Sequence, residues 1–142
     1  MLNEQRVSEL LEALGARTAA PASGAAAALT GALAAGLAEM AARFAGDEDA
    51  VERARAASRR LVELGDEDAE AYTAFMTARS DATRARIIAV PEAIAAHADE
   101  VAELAERVRM RLRSGVAADA EVAAELARTA SRIARRLAGL NA

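Results

Sequence analysis

The chain has 142 residues and a net charge of −4, and it is 54% hydrophobic, 28% charged and only 2% aromatic. A core with so few rings must be filled by Leu, Val, Ile and Ala, which favours packed helices over sheets. There is no Cys, and all 18 basic residues are Arg, so disulfides, thiolate catalysis and Schiff-base chemistry are excluded. A single His, His97, predicts no His-rich metal site, and the acidic balance argues against nucleic acid as a partner.

The first residues lack a basic segment followed by an apolar core, so they do not predict a signal peptide, and we expect a cytoplasmic protein. Residues 18–38 carry no charge and are long enough to cross a bilayer. They are mostly Ala and Gly with three Leu, whereas a spanning helix is rich in Leu, Ile, Phe or Val. The stretch therefore predicts a buried helix, and no membrane partner is predicted.

Helical periodicity runs through the whole chain, beginning with a first predicted helix over residues 3–14. Its apolar stripe consists of Val7, Leu10, Leu11 and Leu14. The second predicted helix, Ser23–Ala45, is small or apolar on nearly every side, so it should lie at the centre of the fold. One of its faces is formed by small residues that allow close helix approach, and this face predicts a homodimer: Ala27, Gly31 and Ala35.

The third predicted helix starts after Asp47, a residue type that caps helices, and it ends near Arg79. A fourth segment starts near Asp81, and Pro91 predicts a kink or a restart because proline lacks an N–H. The last predicted helix covers residues 119–139, and its periodicity predicts that these residues of the stripe, with Leu140 just beyond, point inward: Val122, Leu126, Thr129, Ile133, Leu137 and Leu140. These elements predict one all-α domain over residues 1–142, a bundle of about five to six helices around a central Ala/Gly-rich helix.

Three passages follow one another along the chain. The first is Pro21-Ala22-Ser23-Gly24 before an Ala-rich helix, and the second is Leu-Gly-Asp-Glu-Asp-Ala-Glu-Ala-Tyr at residues 64–72. The third is Val90-Pro91-Glu92, followed by a last helix that ends at Leu140-Asn141. In this order they resemble the cyclodeaminase/cyclohydrolase family, which includes the C-terminal domain of formiminotransferase-cyclodeaminase and the methenyltetrahydrofolate cyclohydrolase of the serine cycle. The chain is identified as a shortened and divergent member.

The resemblance implies an enzyme of folate one-carbon metabolism, either a methenyltetrahydrofolate cyclohydrolase or a formiminotetrahydrofolate cyclodeaminase. Both reactions act on a one-carbon unit held between two nitrogens of tetrahydrofolate, and both need a proton acceptor near that carbon. A carboxylate can fill this role. The resemblance therefore implies a tetrahydrofolate derivative as substrate, with no metal and no permanently bound cofactor.

Asp68 is the candidate proton acceptor because it lies on an apolar stripe, where partial burial would raise its pKa. The alternative is a solvated edge of the helix beside Asp66 and Glu67. Asp119 is a second candidate catalytic carboxylate, although Asp near a helix start is also a common cap.

The candidate substrate-binding residues come from three segments. Pro21, Ser23 and Gly24 lie at a helix start, where free N–H groups bind anions, although Ser is also an ordinary cap there. Arg128 and Arg132 suit the glutamate tail of a folate, although they also suit a solvated helix face. The last candidate is Asn141, which matches an Asn at the end of the family's sequence.

A second function remains open: a non-catalytic dimeric helical protein that keeps the fold and has lost the folate pocket. The family's loop reads Pro-Gly-Gly-Gly-Ser, whereas residues 21–25 keep only the last of these three glycines. Glycine lets a ligand approach the backbone closely. The altered loop is the feature that favours this alternative.

Overall fold

A computed structural model describes the backbone of all 142 residues and every side chain except that of Ser114. In the part of the chain so described there are helices and turns and no strand. The predicted all-α fold is thereby confirmed. The elements are a 3-10 turn at Leu2–Glu4 and five helices: α1 (Val7–Gly15), α2 (Ser23–Ala45), α3 (Glu48–Thr77), α4 (Asp81–Arg109) and α5 (Ser114–Asn141).

The helix α2 is the centre of the bundle, as predicted. It packs against α3, α4 and α5, while α4 packs against both α3 and α5. By length and composition α2 could also cross a membrane, but 56% of its most apolar window is buried inside the protein. Its apolar composition is therefore accounted for in large part by its contacts with three neighbouring helices.

Alanine forms much of the core. On α5 the fully buried residues are alanines, while the larger Val122, Ile133 and Leu140, which the periodicity predicts to point inward, are 40–69% exposed. Small side chains let helix axes approach closely, so contacts among many alanines replace contacts among a few large side chains. The buried alanines of α5 with no exposed surface are Ala120, Ala123, Ala124, Ala127, Ala130 and Ala134.

The small face of α2 that predicted a dimer contact lies inside the chain. A Cβ atom added at Gly31 would lie 3.2 Å from a methyl of Leu61 and 3.8 Å from the Cβ of Ala130. Gly31 thus lets α3 and α5 reach α2, and this face offers nothing to a second copy. The large residues of α2 point outward instead, with Leu33 69% and Phe44 68% exposed.

The first predicted helix differs most from the structure. Residues 3–14 form a 3-10 turn and a separate helix, α1, in which no residue is buried. Val7 and Leu11 of the predicted inward stripe are 72% and 62% exposed. The turn is attached to α3 through the Leu2 N–H, which donates to Oδ1 of Asp66 at 2.9 Å. The amphipathic pattern correctly predicted a helix, but the predicted burial of its apolar face is wrong, because no other described part of the chain covers Val7 and Leu11.

The helix α4 continues through Pro91, so the predicted restart does not occur. Proline has no N–H to donate to the carbonyl four residues earlier, which is that of Ile87. The side-chain amide of Asn141, at the end of α5, donates to this carbonyl oxygen at 2.9 Å. The bond replaces the one that Pro91 cannot make, and it ties the end of α5 to the first half of α4.

The start of α3 is fixed by Asp47, as predicted. Its Oδ1 atom accepts the Ala50 N–H at 3.1 Å, and its carboxylate pairs with the guanidinium groups of Arg107 and Arg111. The bond from the Ala50 N–H, with the two arginines, holds the pKa of this buried carboxyl below its usual value. The cap therefore joins the start of α3 to the end of α4.

Candidate active site

A cavity of about 240 Å³ opens where the start of α2 meets α3, α4 and the end of α5. The segment before α2 forms one wall, and side chains of the three other helices form the rest. The lining residues are Ala19, Ala20, Ala22, Ser23, Gly24, Asp68, Tyr72, Pro91, Leu137, Leu140 and Asn141. All three passages that carry the family resemblance contribute to this lining.

Asp68 is the only charged side chain in the lining. Burial raises the pKa of its carboxyl from 3.8 to about 6, because a charged group loses solvation there. None of the described residues donates a hydrogen bond to the Asp68 carboxylate, whereas Oδ1 of the nearby Asp66 accepts the Leu2 N–H. The pKa of Asp68 therefore suits proton exchange near neutral pH, and no hydrogen-bond donor among the described residues competes for its oxygens.

Gly24 makes room for this carboxylate. A Cβ atom added at Gly24 would overlap the carboxyl group of Asp68. The one glycine that the loop keeps is therefore the one that the cavity needs. Ala22 has a φ of −143° and Ser23 is already helical, so neither position has the positive φ that favours glycine.

Ser23 and Gly24, whose backbone N–H groups are the first two of α2, line the cavity. These N–H groups belong to the first turn, where no carbonyl of the same helix is available to accept them. Ala22, not Ser23, is the N-cap, and no side chain caps this helix. Pro21 follows a cis peptide bond and lies between two lining residues, but it faces a shallow hollow beside Ala69 rather than the cavity.

The structure brings Asn141 to the cavity together with Asp68, Ser23 and Gly24. It also brings Tyr72, which the sequence analysis did not select. Tyr72 lies one helical turn after Asp68, so the two side chains share a face of α3. The four-residue spacing on the same stripe is the signal in the sequence that points to it.

The remaining candidates lie elsewhere. Asp119 precedes Asn141 by 22 residues of α5, which is about 33 Å along the helix axis. Arg128 pairs with Glu106 of α4 at 3.1 Å, and Arg132 donates to the Thr129 hydroxyl at 3.1 Å. None of these three residues lines the cavity.

The cavity lining itself contains no cationic side chain. Arg84 lies nearby, donating to the backbone oxygen of Asn141 at 3.2 Å. Within the described residues there is no group of three or more His, Asp or Glu placed to hold a metal ion. The chemistry available to the cavity is that of one carboxylate, one phenol, one amide and the N–H groups of a helix start.

Comparison with known proteins shows the family of the chain. The sequence model of the formiminotransferase-cyclodeaminase family matches residues 6–142. The chain belongs to this family. The resemblance drawn from the three passages is thereby confirmed, and the chain carries a cyclodeaminase-like domain of a folate-related family.

A solved structure shows the same fold as this family member. The chain is similar to formiminotetrahydrofolate cyclodeaminase from Thermotoga maritima, with a TM-score of 0.91 and 23% sequence identity. The likeness covers 99% of this chain and 80% of the other, and at this identity it establishes the fold alone. A comparison with functionally curated proteins finds no match.

Proposed function

We propose that this family member is a folate one-carbon enzyme, a methenyltetrahydrofolate cyclohydrolase or a formiminotetrahydrofolate cyclodeaminase, with Asp68 as its proton acceptor. The observation that carries the proposal is the partly buried Asp68 carboxyl, with its pKa raised to about 6, in the cavity built from the family's passages. A base of this pKa is ionised at neutral pH, yet it still accepts a proton readily.

In the cyclohydrolase reaction, Asp68 accepts a proton from the water molecule that adds to the methenyl carbon. The bond from this carbon to one ring nitrogen then breaks as that nitrogen takes up a proton, and a formyl group is left on the other nitrogen. In the cyclodeaminase reaction, a second nitrogen of the folate attacks the formimino carbon, and Asp68 carries its proton to the departing ammonia. Either reaction needs the same carboxylate and no metal.

The test replaces the carboxylate and follows the near-ultraviolet band of 5,10-methenyltetrahydrofolate against a blank without protein. We expect Asp68→Asn to lower protein-dependent loss of the band about 10²- to 10⁴-fold, the usual contribution of a general base. Glu70→Gln is the matched control, because Glu70 is an exposed carboxylate on the same helix, paired with Arg86 at 3.4 Å. Full activity in Asp68→Asn would remove Asp68 from this role.

The two reactions are distinguished by their products. Release of ammonia from 5-formiminotetrahydrofolate marks a cyclodeaminase, and hydrolysis of the methenyl compound without that activity marks a cyclohydrolase. The alternative function, a non-catalytic helical protein, predicts neither reaction and no folate binding by calorimetry. The space that Gly24 leaves for Asp68 supports the enzyme, because a scaffold without a pocket needs no such space.

We also propose that the protein is a homodimer joined through the outer face of α2. Leu33 and Phe44 on this face are more than two-thirds exposed, and Leu37 and Met40 between them are half-buried. Gly36 lies on the same face with no atom within 4 Å of an added Cβ, so its own chain gives no reason for a glycine there. Two α2 helices that cross at Gly36 would approach closely and cover these side chains.

A further inference from the structure

The aromatic residues of this chain are few, and one of them is placed at the candidate active site. The sequence contains two Phe, one Tyr and no Trp. Phe75 is buried between the guanidinium groups of Arg79 and Arg84, each 5.3 Å from the ring centre, and Phe44 lies on the outer face of α2. Tyr72 is the only ring in the cavity lining.

Tyr72 is not used as a core residue. It is 36% exposed, and its hydroxyl has no hydrogen-bond partner among the described residues. A side chain with a third of its surface exposed buries less apolar area than the fully buried residues of the core. Its exposed part lies in the cavity wall one turn from Asp68.

The electrostatics of the cavity favour a cation. Asp68 carries the only formal charge in the lining, which contains no arginine to balance it. The face of an aromatic ring has a negative quadrupole that attracts positive charge, most strongly where water is excluded. The other large lining residues, Pro91, Leu137 and Leu140, are apolar and supply no counter-charge.

We propose that Tyr72 is a substrate-specificity residue whose ring face, beside the Asp68 carboxylate, selects a planar heterocycle carrying delocalised positive charge. This inference rests on the proposed function, and it names the charge state of the one-carbon unit as the feature that the site recognises. The methenyl form of the substrate has this charge, and the formyl form, with one carbon on one nitrogen, does not. The ring thus favours the cationic methenyl form, which is the substrate of the cyclohydrolase reaction and the product of the cyclodeaminase reaction, over the neutral formyl form.

The experiment compares binding of a cationic and a neutral ligand with no turnover. The Asp68→Asn protein is titrated by calorimetry with 5,10-methenyltetrahydrofolate and with 5-formyltetrahydrofolate, which share the same glutamate tail. The same two titrations are repeated with Tyr72→Phe and with Tyr72→Leu added. The quantity measured is the ratio of the two dissociation constants, in which contributions of the tail and of general packing cancel.

We expect Tyr72→Phe to keep the ratio, because the ring face remains, and Tyr72→Leu to reduce preference for the cation about 10- to 30-fold. Equal weakening of both ligands by Tyr72→Leu would reduce Tyr72 to an apolar contact and overturn the inference. If the unsubstituted protein hydrolyses the methenyl compound while the ratio is unchanged in all variants, only this inference fails. If that protein neither binds nor converts either folate, the proposed function fails with it.

Discussion

At the scale of single residues, the raised pKa of Asp68 has opposite effects on activity and on stability. It suits the carboxylate to proton transfer near neutral pH, and it lowers the free energy of unfolding there. Its value of about 6 in the folded protein exceeds the ordinary 3.8, so folding disfavours the ionised form. The stability that this carboxyl contributes is therefore complete below pH 3.8, where it is protonated in both states, and is lost as the pH rises through about 6. At neutral pH, an ionised carboxylate at this position therefore lowers the free energy of unfolding.

The first prediction follows from this sign. Above pH 6, Asp68→Asn should be more stable than the unsubstituted protein by on the order of 2 kcal/mol, and the difference should shrink towards zero near pH 4. Urea unfolding at pH 4 and at pH 8 measures it, with Glu70→Gln as the control for the loss of an exposed carboxylate on the same helix. In the same range, kcat/KM of the unsubstituted enzyme should rise with pH and level off above about 6. A pH-independent stability difference would contradict the assignment.

The second prediction concerns Gly24. Gly24→Ala should displace the Asp68 carboxylate, because the added methyl would occupy its place, and lower kcat about 100-fold. The fold should tolerate the change, since the group that must move is the end of a flexible side chain and alanine favours a helix.

Gly115→Ala is a matched control for Gly24→Ala. Gly115 is likewise the second residue of its helix, α5, and nothing lies within 4 Å of an added Cβ there. Activity assays with thermal melts on both variants separate the effects. Equal activities in the two would show that the position of Asp68 does not depend on Gly24.

At the scale of elements, one side chain keeps α4 continuous. Pro91 leaves the Ile87 carbonyl without a backbone donor from the helix, and the Asn141 side-chain amide donates to that oxygen instead. Both Pro91 and Asn141 line the cavity, so the bond also fixes the distance between two of its walls. The sequence does not reveal that the two residues act together, because 50 positions separate them.

The third prediction is a double-mutant cycle on this pair. Asn141→Ala should cost about 1 kcal/mol or more in urea unfolding, because the Ile87 carbonyl loses its donor. In a Pro91→Ala background the new backbone N–H of residue 91 takes that carbonyl, so the added cost of Asn141→Ala should fall by about 1 kcal/mol. Strict additivity of the two substitutions would show that the Asn141 bond does not replace the missing helical one.

At the scale of the whole molecule, the large and small side chains of α2 divide between its two sides. The alanines and Gly31 face the bundle, while Leu33 and Phe44 face outward. This outward face is the one through which we propose that two copies of the chain associate, because neighbouring exposed apolar side chains are typical of interaction surfaces. The amphipathic helix α1, which buries no residue in its own chain, adds to the uncovered apolar surface.

The fourth prediction tests the proposed dimer. Sedimentation velocity at micromolar concentration should show a dimer for the unsubstituted protein and a monomer for Leu33→Arg, because a buried unpaired charge would oppose association. Met110→Arg is the control, since Met110 is 82% exposed and lies outside α2. A monomer in the unsubstituted protein would contradict the proposal, and a dimer that survives Leu33→Arg would place the interface elsewhere.

The sequence by itself determined the helical class, the bounds of α2, the cap at Asp47 and the selection of Asp68. These features depend on local rules: periodicity, cap chemistry and the cost of an acidic residue on an apolar stripe. The order of three short passages also determined the family. The cap, the apolar stripe and each single passage lie within a few turns of chain, and the order of the passages is read along the chain, so all of them are visible without knowledge of the packing.

Only the tertiary structure decided which face of each helix is buried. Hydrophobicity ranks Leu, Val and Ile above Ala, so the sequence pattern places Val122 and Ile133 inside, yet here close helix approach buries alanines. The structure also excluded Asp119, Arg128 and Arg132 from the cavity and added Tyr72 to it. Contacts between distant parts of the chain depend on which helices cross and where, and residue spacing within one helix does not identify the helix that it meets.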